Sequence, residues 1–161
     1  MEYDGAGIKM IVCGTGHRPE DSEDEGIVRL KARVKLQNTP AVKTFITGMA
    51  SGFDLWAGDE ARLRGLGIIC AVPWRTHKPR VDDQELYDVL LDAAEKVVYV
   101  TDVSEYPGPW VYQKRNEWMV DNSDAVMAYW SGKETGGTWN CIKYARKKNA
   151  KIANIYHDPP F

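Results

Sequence analysis

Gly136-Gly137-Thr138 stands between the apolar run AVMAYW and the amphipathic stretch WNCIKYARKK. Glycines let a backbone approach a bound group closely and adopt positive φ. The start of a following helix offers unpaired N–H groups and a partial positive charge. Together they suit a phosphate, with the Thr138 hydroxyl as a further donor. The same three residues also read as a tight turn in which Thr138 is a plain N-cap, and the tripeptide alone does not choose between the two. Gly14-Thr15-Gly16-His17-Arg18 follows an earlier apolar run, IKMIVC. Arg18 suits bidentate pairing with a phosphate, and His17 a hydrogen bond to a ribose or base. The alternative is a solvated turn with Arg18 paired to the acidic run Glu20–Glu25. This segment is not the GxGxxG fingerprint, and no Walker lysine accompanies it.

Gly48-Met49-Ala50-Ser51-Gly52-Phe53-Asp54 is a third small-residue segment. Gly48, Ser51 and Gly52 suit a phosphate or ribose, and Asp54 either accepts from ribose hydroxyls or caps a helix. Arg115-Asn116 precedes the run AVMAYW, with Arg115, Met119 and Asn122 at helical spacing; the plain alternative is a surface arginine above a core methionine. Cys13, Cys70 and Cys141 are scattered, without a CxxC or Cys/His cluster, so neither a metal nor any other cofactor is expected. No Ser-His-Asp or Cys-His order is readable. His77 and His157 lie in polar segments and are expected to be solvated. The six tryptophans read as core fillers, or as stacking and interface residues.

The elements that must position these residues alternate in type. Strands are expected over Ile8–Cys13, Lys43–Thr47, Gly67–Trp74, Lys96–Thr101, Ala125–Trp130 and Ile152–Tyr156, with GTGHRP as a turn after the first. Helices are expected over Ile27–Leu36, Phe53–Leu66, Asp83–Ala94, Trp110–Asn122 and Thr138–Lys148, with Ser51 or Asp54 capping the second. This alternation predicts an α/β fold, a Rossmann-like three-layer sandwich with a mostly parallel sheet, as a single domain over residues 1–161. Right-handed crossovers bring the strand-to-helix loops to the carboxyl edge, where such sheets bind ligands at the switch point.

Composition narrows the partners. With 21 basic and 23 acidic residues the net charge is −2, so no global basic field recruits nucleic acid. No apolar run approaches a membrane span and no signal-peptide core is readable. No membrane partner and a cytoplasmic location are expected.

The ordered motifs GTGHRP, TGMASGFDLWAGDEA, RNEWMVDNSDAVMAYW and GGTWNCIKYA together resemble the YpsA/YoqJ-like proteins of the SLOG superfamily, which also contains DprA and the LOG phosphoribohydrolases. The resemblance implies a Rossmann-like fold with a nucleotide-type pocket at the carboxyl edge. It implies phosphate or ligand contacts from Gly14, Thr15, Gly16, His17, Arg18, Gly48, Ser51, Gly52, Asp54, Arg115, Asn116, Gly136, Gly137 and Thr138. Arg115 matches the LOG arginine, whereas Asn116 replaces the adjoining lysine and Asn140 stands where LOG enzymes carry their glutamate. An amide does not act as a general base or stabilise an oxocarbenium ion as a carboxylate does. The expectation is therefore a sensor or sequestering protein for an ADP-ribose-like molecule or nucleoside phosphate. One alternative is LOG-like N-glycosidic chemistry on nucleoside monophosphates, with Arg115 orienting phosphate and Glu134 as a nearby carboxylate. Another is DprA-like binding of single-stranded DNA through the tryptophans and Lys143, Arg146, Lys147, Lys148 and Lys151. The superfamily also implies a homo-oligomer.

Overall fold

The computed structural model describes residues 9–161. The strands are β1 (Met10–Gly16), β2 (Val42–Thr47), β3 (Gly67–Trp74), β4 (Lys96–Thr101), β5 (Ala125–Tyr129) and β6 (Lys151–Asn154). The helices are α1 (Glu25–Gln37), α2 (Phe53–Leu63), α3 (Gln84–Ala93), α4 (Trp110–Asp121) and α5 (Gly136–Lys147). The strands form one sheet in the order β4-β3-β2-β1-β5-β6, and each pairing is parallel. The sheet is therefore parallel throughout rather than mostly so.

Side chains alternate across this sheet, as a two-sided core requires. Val12, Phe45, Ile68, Cys70, Val72, Met127 and Tyr129 face one layer with α1, α2 and α3. Cys13, Ile46, Ala71 and Val126 face the other with α4 and α5. The result is a Rossmann-like three-layer sandwich. The chain runs outward from β1 through β4 on one side, then crosses to β5 on the other. The crevice between the carboxyl ends of β1 and β5 is thus the topological switch point.

Several boundaries depart from expectation at this edge. Ile8 lies outside the described residues. β1 does not stop at Cys13 but continues through Gly14-Thr15-Gly16, because these pair with Met127, Ala128 and Tyr129 of β5. The Gly-Thr-Gly segment is therefore strand, not turn. α5 starts at Gly136 with Thr135 as N-cap, so Gly136-Gly137-Thr138 is the first helical turn and Thr138 is not the cap. α2 is preceded by Gly52 at φ 95 and ψ −135, and neither Ser51 nor Asp54 caps it.

Burial corrects one further expectation. His77 is not solvated: it is half-buried, its ring centroid 4.9 Å from that of Trp74, and its Nδ1 is 3.0 Å from the Tyr87 hydroxyl. Burial pushes its pKa down to about 4, helped by the Arg115 charge. Among the tryptophans, Trp56 is a core filler, while Trp110 is 52% exposed and Trp130 stacks on Trp139.

Candidate functional site

A cleft of about 480 Å³ opens at the switch point. One wall is the end of β1 and the loop after it, from Thr15 to Asp21. The opposite wall is Lys133, Thr135, Gly136, Gly137, Thr138 and Asn140, from the loop after β5 and the start of α5. Ala50 and Asp54 enter from the β2–α2 loop, and Tyr112, Gln113, Arg115 and Asn116 from α4.

α5 brings donors to this cleft. Its Thr135 N-cap makes no side-chain hydrogen bond, and no described residue accepts from the N–H groups of Gly136, Gly137 or Thr138. The starts of α1, α2 and α4 differ. The Phe53 N–H at the start of α2 is taken by the His17 carbonyl at 3.2 Å, and Asp24 and Pro109 carbonyls accept from the first turns of α1 and α4. Thr138 is buried at the cleft wall, whereas Gly136 and Gly137 are exposed. A Cβ on either glycine would meet nothing within 4 Å, so the backbone here is open on its side-chain side.

Arg115 is 7% exposed, yet makes no ion pair among the described residues. Its Nη1 donates to the Gly48 carbonyl at 2.6 Å and its Nε to Asn116 Oδ1 at 3.1 Å. Asn116 Nδ2 in turn donates to the Gly137 carbonyl at 3.3 Å. The guanidinium is thereby held by the loop after β2, by α4 and, through Asn116, by α5, while Nη2 has no protein acceptor among the described residues. A guanidinium fixed through Nε and Nη1, with Nη2 still free to donate, is preorganised to bind an oxyanion.

Asp54 is the buried carboxylate of the cleft, 6% exposed, with Oδ2 accepting the Ala50 N–H at 3.3 Å. Burial raises its pKa from 3.8 to about 6, against the lowering effects of Arg115 and the Ala50 N–H. Folding therefore favours the protonated acid. That contribution is whole below about pH 4 and is lost as pH rises through about 6. Above that, burying the ionised group costs on the order of 2–3 kcal/mol. Asp54→Asn keeps an acceptor for Ala50 and is expected to raise the melting temperature above the parent's at pH 8, with the gap closing by pH 4. Thermal melts showing an equal gain at both pH values would refute this origin.

His17 joins the two walls. The Ser131 N–H donates to His17 Nε2 at 2.8 Å, so that nitrogen holds its lone pair and the neutral ring carries its proton on Nδ1. The Ser131 hydroxyl lies 3.0 Å from the same nitrogen. Burial lowers the pKa of His17, with Asp21 opposing and Lys133 assisting. Arg18 is exposed at the rim and makes none of the ion pairs expected with the acidic run; Glu20 pairs with Arg80 instead.

The expected residues divide clearly. Thr15, Gly16, His17, Arg18, Asp54, Arg115, Asn116, Gly136, Gly137 and Thr138 converge on the cleft. Gly14, Gly48, Ser51 and Gly52 do not line it. A Cβ on Gly14 would lie 2.6 Å from the Phe45 ring, and one on Gly16 2.4 Å from the Phe53 ring, so these glycines make room for core aromatics. Gly48 holds Arg115 through its carbonyl. Ser51 accepts the Arg80 N–H at 3.2 Å. Glu134 is exposed and lies outside the cleft wall, because α5 begins only two residues later and carries Asn140, not Glu134, into the site. Tyr112 and Gln113 were not anticipated, although they sit one helical turn before Arg115 and Asn116, where i and i+3 share a face. Among the described residues no three His, Cys, Asp or Glu side chains gather to hold a metal, and no helix is long and apolar enough to cross a membrane.

With this geometry in place, the relatives are informative. Residues 27–158 match the family described as the YspA SLOG family. The prophage-derived protein YoqJ of Bacillus subtilis (strain 168) is 33% identical over 119 residues, covering 64% of this chain and 69% of YoqJ. A UPF0398 protein of Bacillus thuringiensis (strain Al Hakam) is 24% identical over 164 residues, covering 91% of this chain and 87% of that protein. Among solved structures, DprA from Streptococcus pneumoniae superposes with a TM-score of 0.71 at 17% identity, over 89% of this chain. DprA from Helicobacter pylori, described for its single-stranded DNA binding mode, gives 0.68 at 16% identity over 90%. This chain spans 49% of the pneumococcal protein and 64% of the Helicobacter one, and at such identities the likeness is one of fold.

Proposed function

The chain belongs to the YspA SLOG family, and from that premise we propose that the switch-point cleft binds a nucleotide or nucleotide-derived ligand, ADP-ribose-like or a nucleoside phosphate, as a sensor or sequestering protein. One observation carries the reading. Gly136, Gly137 and Thr138, whose N–H groups have no acceptor among the described residues, line the same cleft as the buried Arg115, whose Nη2 is free and which makes no ion pair among them. A helix start and a guanidinium lining one volume are complementary to a phosphate. Asp54, Glu20 and Asp21 add carboxylates to the same lining, as suits ribose hydroxyls. The volume falls within the range of small-molecule sites.

The N-glycosidase reading has less support, since Asn140 lines the cleft in place of the LOG glutamate and Glu134 stays outside it. The single-strand reading has one observation in its favour. Trp130 and Trp139 stack with centroids 5.3 Å apart, and the Arg146 guanidinium lies 5.5 and 5.6 Å from the two rings. Aromatic and cationic groups so arranged suit stacked bases, but the net charge of −2 opposes it. Calorimetry with AMP, ADP, ADP-ribose, a cyclic dinucleotide and oligothymidylate decides between the cleft and single-strand readings. Binding of at least one of the small nucleotides is expected. If all of them fail to bind, the cleft reading is sunk; if oligothymidylate alone binds, with steep salt dependence, the DNA reading replaces it.

A further inference from the structure

A shallow groove runs between α4 and α5, lined by Gln113, Asn140, Lys143, Tyr144 and Lys147. Gln113 and Asn140 also line the cleft, so the two depressions form one continuous surface. On α5, Asn140, Lys143, Tyr144 and Lys147 recur at i, i+3, i+4 and i+7, a single stripe leading away from the helix start. At 1.5 Å per residue, Tyr144 lies about 10 Å along the axis from Gly137.

The groove has its own chemistry. The Tyr144 ring is half-buried, and its hydroxyl is tied to Asp121 Oδ1 at 2.8 Å, which fixes the aromatic surface. Lys143 and Lys147 are exposed and make no ion pair among the described residues. The Asn140 side-chain amide, at the junction with the cleft, makes no hydrogen bond among the described residues; its backbone carbonyl accepts from Gln113 at 3.5 Å. Lys143 Nζ lies 5.5 Å from the Trp139 ring centroid and Lys148 Nζ 5.5 Å from that of Tyr144, which leaves an oriented aromatic ring, a free amide that both donates and accepts, and the uncommitted Lys147 ammonium as the groups that suit a nucleobase and its phosphate.

We infer that this groove is a second nucleoside subsite, and that the protein's ligand is a dinucleotide, two nucleosides joined through phosphate. The inference rests on the nucleotide reading of the cleft. The cleft already offers about 480 Å³ for the first unit, and the groove takes the second.

The test uses the full chain, with calorimetry against AMP, ADP-ribose, diadenosine diphosphate and oligothymidylate. Diadenosine diphosphate is expected to bind at least ~10-fold more tightly than AMP, and ADP-ribose, which lacks the second base, to fall between them. Lys147→Glu is expected to remove most of that gain and leave AMP affinity unchanged. Tyr144→Ala is expected to do the same, with a thermal melt confirming its fold. Equal affinity for AMP and the dinucleotide overturns the inference but leaves the cleft reading intact. So does an equal loss of both ligands in Lys147→Glu. A gain confined to oligothymidylate overturns it in favour of a strand. Absence of binding by AMP and the dinucleotide alike overturns the inference, and the cleft reading falls with it if ADP, ADP-ribose and a cyclic dinucleotide also fail to bind.

Discussion

Arg115→Ala is expected to lower affinity for a phosphate-bearing ligand by about two to three orders of magnitude, matching the ~3–4 kcal/mol lost when one partner of a buried, hydrogen-bonded charge pair is truncated. Arg115 is buried and pinned by Gly48 and Asn116, so it arrives at the ligand with little side-chain entropy left to lose. It also holds down the pKa of Asp54. Without the guanidinium, the carboxyl becomes harder to ionise and the variant less stable at alkaline pH. The measurement is calorimetry at neutral pH on protein shown to be folded by its melt. Arg115→Lys keeps the charge but not the fork, and is expected to recover part of the affinity. A loss below ~10-fold in Arg115→Ala would remove Arg115 from the binding machinery and leave the α5 start as the sole anion site.

Much of this arrangement is legible in the sequence, for a physical reason. Runs such as KTFIT, GIICAVPW and KVVYVT are apolar on both faces, which marks buried parallel strands, and the alternation with amphipathic stretches orders them. Parallel order then delivers Thr15, Asp54 and Gly136 to one edge without any knowledge of side-chain contacts. Contacts between residues far apart in the chain are not legible. Gly14 looks like part of a ligand loop but lies beneath Phe45, and Gly16, though it lines the cleft, also lies against Phe53, partners some 30 to 40 residues away. Arg115 reads as equally suited to solvent, and its burial follows from the Gly48 carbonyl, 67 positions earlier. His77 sits in a polar segment yet is covered by Trp74 and Tyr87, because β3 and α3 bring those rings together. Tyr112 and Gln113 were within reach of helical spacing once Arg115 was identified. The groove beyond Asn140 was not, since it exists only where α4 and α5 meet.

Gly52→Ala is expected to destabilise the protein by about 2–4 kcal/mol, combining backbone strain with overpacking. Gly52 has φ 95 and ψ −135, a conformation L side chains rarely adopt. A methyl group there would also lie 2.7 Å from the His17 carbonyl oxygen, 2.9 Å from Pro19 Cδ and 3.0 Å from Arg18 Cα. Two of these are main-chain atoms that cannot rotate away, so the strand-to-loop segment must shift. That shift acts on the bond from the Phe53 N–H to the His17 carbonyl and, through the same residue, on the ring nitrogen that accepts from Ser131. The variant should therefore lose ligand affinity although Gly52 lies outside the cleft. For a chain of this size the melting temperature should fall by about 5–15 °C. Gly65→Ala isolates the backbone component: Gly65 has φ 81, but nothing lies within 4 Å of its would-be Cβ, so a loss of only ~1 kcal/mol and no change in affinity are expected. Equal losses of stability in the two variants would show that the approach of Gly52 to His17 carries no strain, and unchanged ligand affinity in Gly52→Ala would uncouple the β2–α2 loop from the cleft.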